Sequence, residues 1–236
     1  LPTPSATRAA GLHGSKNETQ LTLHDSVVRR TRREKAHETG GEGITAASGA
    51  GVDIRRTLVT DNRGHGIGII GESSASLGDV TIRKTRAEQT GFSGMGLLAL
   101  RSAESVEANR IHIRDNTSSG MVVWDARLAG QDISVVDSSA GNEGFGDGVF
   151  VKDNASVELN RFLADNNHRA GLLLSNASMT VGHAVSTGNA IGLVREFESD
   201  LEEERFRVFD NSEHDRQCRQ QCYDPPPEPT NSELPD

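Results

Sequence analysis

Val106-Glu-Ala-Asn-Arg-Ile-His-Ile-Arg-Asp-Asn116, followed shortly by Gly120-Met-Val-Val-Trp124, is the stretch from which the fold can be read. Apolar residues alternate with polar ones as far as an Asp-Asn pair, and then a glycine opens a short apolar run. Such alternation sends one face of a strand inward and the other outward. The β-branched residues suit a half-buried pleat. The same pattern returns at Val52 to Asn62 and Leu201 to Asn211, and more loosely at Leu21 to Thr31 and Leu128 to Ser138.

The glycine marks a second register. Gly43, Gly66, Gly96, Gly120, Gly148, Gly171 and Gly192 each precede an apolar residue, at intervals of 23, 30, 24, 28, 23 and 21 residues. A third register lies in the turns Ser74-Ala-Ser76, Asn154-Ala-Ser156 and Asn176-Ala-Ser178. Registers that share one period of coil length describe a solenoid. A single coil cannot bury its own inward face, so coils must stack at about 4.8 Å. Glycine and asparagine at fixed offsets are expected to supply turns with φ > 0.

Composition agrees. Hydrophobic residues make up 34% and aromatics 4% of the 236 residues, with 25 glycines, which is lean for a globule but sufficient for the narrow interior of a solenoid. The net charge of −9 argues against a nucleic-acid partner, which would call for a basic surface. No apolar run approaches the roughly 20 residues that span a bilayer.

The registers identify an all-β, right-handed parallel β-helix of about eight coils, expected over residues 1–211. Over roughly residues 10 to 211 the chain resembles the pectin-lyase-like superfamily. That resemblance implies the architecture more than an activity, since the fold hosts lyases, hydrolases, epimerases and inert surface modules. Gly11-Leu12 stands at the spacing seen inside the repeats, so the chain is expected to begin in mid-coil, with the rest of a longer protein at its N-terminus. Residues 212–236 hold both cysteines, Cys218 and Cys222, and a Pro-rich acidic run; they are expected to form a disordered tail. A local disulfide between those cysteines would suit a secreted or cell-surface protein.

Candidate sites follow from stacking. Five residues after successive glycines stand Arg101, Asp125, Asp153 and Asn176, with Trp124 and Lys152 beside them. In register they form a row of charge along an indole, which suits a polysaccharide or cell-surface glycan: carboxylates bond hydroxyls and the ring stacks on a pyranose. A solvated ladder of compensating charges accounts for the same residues. Asp125 and Asp153 alone fall short of the roughly six to eight oxygens that calcium takes, so no metal site is assigned.

A basic set comprises Arg29, Arg30, Arg32, Arg33 and Lys35, then Arg83, Lys84 and Arg86 two coils on. Stacked, it would suit uronate or sulfate groups, and Arg83 and Arg86 are counted among the binding candidates. If the protein is a lyase, calcium is a possible cofactor. Gly64-His65-Gly66 resembles the Gly-His-Gly stretch of polygalacturonase-type glycoside hydrolases, but the paired aspartates of that family are missing from the preceding coil. Glycoside hydrolysis needs two carboxylates, so no catalytic residue is assigned and His65 reads as a turn residue. The pairs Asp61-Asn62, Asp115-Asn116, Asp165-Asn166 and Asp210-Asn211 read as stacked asparagines bonding the turn backbone, with solvated aspartates beside them. The leading function is a carbohydrate-contacting module without demonstrable catalysis; the alternatives are an enzyme acting on an acidic polysaccharide, and a structural spacer.

Overall fold

The computed structural model describes residues 6–7, 12–14, 20–31, 41–87, 94–101, 105–141 and 144–219. Among them the chain forms no helix and runs alternately through two parallel sheets. The first, ten-stranded, sheet contains β1 (Ala6–Thr7), β3 (Gln20–His24), β4 (Val27–Arg29), β6 (Gly51–Thr60), β8 (Ser74–Arg83), β10 (Ser105–Arg114), β12 (Arg127–Val136), β14 (Ser156–Asp165), β16 (Ser178–Thr187) and β18 (Asp200–Val208). The second, nine-stranded, sheet contains β2 (Leu12–Gly14), β5 (Ile44–Ala47), β7 (His65–Ile70), β9 (Met95–Leu100), β11 (Ser119–Trp124), β13 (Asp147–Lys152), β15 (Ala170–Ser175), β17 (Ile191–Glu196) and β19 (His214–Arg219). Each strand pairs with its counterpart one coil away, which is the parallel β-helix expected from the repeat.

Alternation along the long strands of the first sheet is not strict. Val106 and Ala108 point inward, and then Ile111 and Ile113 do, so the phase slips once. The slip falls at Arg110, whose backbone is left-handed (φ 55°). One such residue bends a strand and reverses which neighbours face the core. Arg56, Asp79, Asp132, Arg161, His183 and Arg205 do the same on other coils, with φ between 46° and 57°.

The repeat glycines work differently from the expectation. None of Gly43, Gly66, Gly96, Gly120, Gly148, Gly171 and Gly192 has positive φ. They are glycine because the stack leaves no room for a Cβ. At Gly148 a Cβ would lie 2.6 Å from the carbonyl oxygen of Gly171 and 2.8 Å from the Asn167 amide nitrogen. At Gly96 it would lie 2.6 Å from the Gly120 oxygen. The left-handed positions fall mostly to Asp, Arg and Asn instead.

The solenoid also runs past the boundary expected at residue 211. β19 pairs with β17, setting His214 beside Ile191, Arg216 beside Leu193 and Cys218 beside Arg195. Arg216 and Glu203 occupy positions that the preceding coil gives to Leu193 and Val181. Their side chains join at 2.5 and 2.7 Å, with the Arg216 guanidinium 5.5 Å from the Phe206 ring. A charged rung thus stands on the last described coil of the apolar column. Cys218 is disulfide-bonded; Cys222 and the rest of the Pro-rich run lie outside the described residues.

Gly148→Ala should lower stability by about 1–3 kcal/mol in urea denaturation, because the overlap is with backbone that cannot move aside. Gly51→Ala is the control. Its added Cβ meets nothing nearer than Ser74 Oγ at 3.6 Å, and its cost should stay within about 0.5 kcal/mol.

Candidate functional site

The row inferred from the glycine spacing forms. Leu100, Trp124, Lys152, Ser175 and Glu196 stand in register on successive strands of the second sheet. The residue after each turns the corner in a left-handed conformation: Arg101 (φ 48°), Asp125 (48°), Asp153 (50°), Asn176 (51°) and Phe197 (54°). Main-chain bonds lock the corner, for example Arg101 N–H to Trp124 O at 2.9 Å and Asp125 N–H to Lys152 O at 3.1 Å. The Lys152 ammonium sits 4.0 Å from the centre of the Trp124 ring and 3.1 Å from the Asp153 carboxylate. Ammonium, indole and carboxylate are therefore one contact group. Phe197 was missed, although it also lies five residues after its coil's glycine, Gly192; it is 45% exposed.

Trp124 has a second role. With Leu98 it packs on a cluster of Met95, Val122, Phe150, Ala170, Leu173, Ile191 and Val194, separate from the interior core. Val122, Phe150, Leu173 and Val194 alternate with the inward residues of their strands, so the second sheet is apolar on both faces. Phe145 stacks on Phe150 at 6.5 Å, and the Arg169 guanidinium lies 4.8 Å from the Phe145 ring. Arg169 in turn grips the fully buried Asp147 carboxylate through two nitrogens, at 2.8 and 2.5 Å. The signal for this layer was present: Met-Val-Val-Trp124 and Leu172-Leu-Leu174 are continuous apolar runs, the mark of strands covered on both sides.

Arg83 and Arg86 lie at the other end of the second sheet's strands, where the chain leaves the first sheet. A six-residue strand spans about 20 Å, so they do not join the Trp124 group. Arg29, Thr60, Arg83 and Arg114 share one register position, and Arg86 bridges to Arg63. Beside them a cleft of about 280 Å³ is lined by Arg30, Thr31, Asp61, Asn62, Arg63 and Arg86. Arg32, Arg33 and Lys35 lie outside the described residues.

The asparagines form the expected ladder. Asn62 accepts from Thr31 N–H at 3.2 Å, Asn116 from Thr85 N–H at 2.9 Å, Asn167 from Ser138 N–H at 3.1 Å and Asn189 from Asn167 N–H at 2.9 Å. One pairing needs correction. In the third repeat the ladder residue is Asn167, not Asn166, which holds the left-handed corner (φ 53°) that Asp61, Asp115 and Asp210 hold elsewhere. Coils that carry a long excursion use Thr31, Thr85 or Ser138 at the ladder position, so the residue type there tracks loop length. His65 opens β7 rather than sitting in a turn. Its Nε2 is 2.9 Å from the Thr45 hydroxyl, and its ring fills the space above Gly68, where an added Cβ would lie 2.6 Å from Cδ2.

One charged array escaped the sequence reading. The left-handed bends of the first sheet bring Asp25, Arg56, Asp79, Arg110, Asp132, Arg161, His183 and Arg205 into a single column. Arg56 donates twice to Asp25 (2.6 and 2.7 Å), and Arg110 twice to Asp79 (2.5 and 2.8 Å). Arg161 does the same to Asp132 (2.5 and 2.6 Å). Arg205 ends the column 2.9 Å from His183 Nε2. The arginine hydrogen bonds hold all three aspartates below the usual carboxylate range. The pairs are 31 or 29 residues apart in the chain, a separation that only the stack turns into contact.

Strands that return to the same two parallel sheets on every coil define the class of parallel β-helix repeat proteins. Within it, this chain belongs to the family described as right handed beta helix region, which matches residues 10–191. No curated protein matches it. Among the described residues no helix is long and apolar enough to cross a membrane.

The aspartate column gives a pH signature. Each folded pKa is depressed, so the stabilisation is complete above the ordinary value of 3.8 and is lost as pH falls through the lowered values. The melting temperature should drop over that acid range. The triple variant Asp25→Asn/Asp79→Asn/Asp132→Asn should show a shallower drop while still folding, because Asn tolerates the left-handed backbone.

Proposed function

We propose that this chain is a secreted or cell-surface β-helix module that contacts carbohydrate along the corner after its second sheet, without turning it over. The observation that carries this reading is the in-register row of Arg101, Asp125, Asp153 and Asn176 beside the Trp124–Lys152 pair. Hydroxyl-rich chains are bound by this combination: carboxylates and amides accept from hydroxyls, a cation donates, and an aromatic edge covers the apolar face of a ring. Rungs about 4.8 Å apart present these groups repeatedly along the solenoid axis, as a polymer lying lengthwise would need.

A second reading has its own observation. The cleft that sets Asp61 among Arg30, Arg63 and Arg86 favours an enzyme acting on an acidic polysaccharide: a lyase, with calcium as its cofactor, or a hydrolase or epimerase. There a guanidinium would pair with a uronate carboxylate.

The test is a panel of neutral and acidic polysaccharides, with and without calcium, followed by calorimetry and by the ultraviolet absorbance of unsaturated products. The first reading expects binding without product, weakened by about threefold or more in Trp124→Ala. Product that disappears with Arg63→Ala or Arg86→Ala would replace it with the second. Silence in both channels would refute both and favour a spacer.

A further inference from the structure

Three columns meet at the corner where the chain leaves the first sheet. Arg29, Thr60, Arg83 and Arg114 end their strands in register. The residues before them, Val28, Val59, Ile82 and Ile113, belong to the interior core, so this column faces outward. The left-handed corner that follows carries Arg30, Asp61, Lys84 and Asp115. Their N–H groups bond the strand-end carbonyls of the next coil at 3.2–3.3 Å, which stacks them in turn. Two residues further on, Arg63 bridges to Arg86, and Thr117 follows on the next coil.

Rung by rung, the charge alternates. The first rung carries Arg29 and Arg30. The second sets Asp61 against Arg63. The third is wholly cationic, with Arg83, Lys84 and Arg86. On the fourth, Arg114 holds Asp115 at 2.9 Å. Positive rungs therefore stand two coils apart, about 10 Å along the solenoid axis.

The bends of the first sheet show what the stack does when it satisfies its arginines: Arg56, Arg110 and Arg161 each take an aspartate through two nitrogens. This corner differs. Among the described residues, Arg29, Arg30, Arg63, Arg83, Lys84 and Arg86 have no carboxylate partner. Arg83 Nε is buried without an acceptor, which costs free energy. Arg63 and Arg86 face each other across one rung, where like charges are destabilising. Solvation accounts for exposed cations singly, but not for their stacking in register. Beside them lies the cleft of about 280 Å³, with room for an anionic group.

We propose that this corner binds a linear polysaccharide with one acidic group on every second sugar, lying along the solenoid axis. A pyranose in an extended chain advances by about one coil spacing, so acid groups two sugars apart meet the two positive rungs. There guanidinium and ammonium groups pair with them. The intervening neutral sugar meets the second rung, where Asp61 accepts from a hydroxyl. A polymer with an acid group on every sugar would set one against Asp61, which repels it. The inference rests on the reading of the Arg63–Arg86 cleft as a site for acidic polysaccharide, holds with or without turnover, and adds the spacing of the acid groups.

Calorimetric titration of the whole chain in calcium-free buffer tests it. Hyaluronate oligomers, acidic at every second sugar, are compared with galacturonate oligomers of equal length, acidic at every sugar. Hyaluronate should bind about tenfold tighter although it carries half the charge. Arg83→Gln/Lys84→Asn should weaken hyaluronate binding by about tenfold. Its melting temperature should hold, because Asn tolerates the left-handed corner. Arg127→Gln, at the opposite end of the first-sheet strands, is the charge control and should not weaken it. Asp61→Asn should raise galacturonate-oligomer affinity by about threefold or more and leave hyaluronate nearly unchanged. Galacturonate oligomers that bind as tightly as hyaluronate, both weakened by Arg83→Gln/Lys84→Asn, would overturn the spacing while sparing the acidic-polysaccharide reading. Binding indifferent to that double variant would overturn the site. No binding by either oligomer would overturn both the inference and that reading.

Discussion

Main-chain hydrogen bonding between successive coils holds them about 4.8 Å apart, so any residue in the stack must tolerate its counterparts directly above and below. That constraint explains features that look unrelated in the chain. Glycine recurs where the carbonyl of the next coil leaves no space for a Cβ. Asparagine recurs where a buried N–H on one coil needs an acceptor from the next, and its side-chain amide supplies one. Aspartate and arginine alternate along the bends because like charges at this spacing would repel through every rung.

The corners do a second job. A left-handed residue turns the chain and leaves its side chain on a convex edge, open to solvent. Residue choice there is free of packing demands, so corners can carry chemistry at little cost to the core. One corner spends that freedom on arginine–aspartate pairs within the molecule. Another presents Arg101, Asp125, Asp153, Asn176 and Phe197. The difference lies in satisfaction: the bidentate pairs use up their donors and acceptors, whereas the second row ends in Phe197, whose ring is 45% exposed.

The second sheet differs from the first in having apolar side chains on both faces. Its outer layer buries Val122, Leu173 and Val194 almost completely and anchors Trp124 from behind. An indole held in this way keeps one orientation, and Lys152 fixes it from the side. The cleft lined by Arg30, Arg63 and Arg86 belongs to the early coils.

Sequence alone determined the solenoid and the Arg101–Asp125–Asp153–Asn176 row, because a period in the chain becomes a column in space once coils stack. It also foresaw the asparagine ladder, within one residue at Asn167. What it could not decide depends on local conformation or on contacts between coils of unequal length. The slip in alternation at Arg110 comes from a left-handed backbone, which the doubled polar step Asn109-Arg110 marks but does not specify. The pairing of Arg56 with Asp25 or Arg110 with Asp79 depends on how many residues each loop inserts. The ion pair on the last described coil depends on Glu203 and Arg216 meeting where the preceding coil has apolar residues. Only the tertiary structure turns these into neighbours, because register is set by hydrogen bonds between coils and not by distance along the chain.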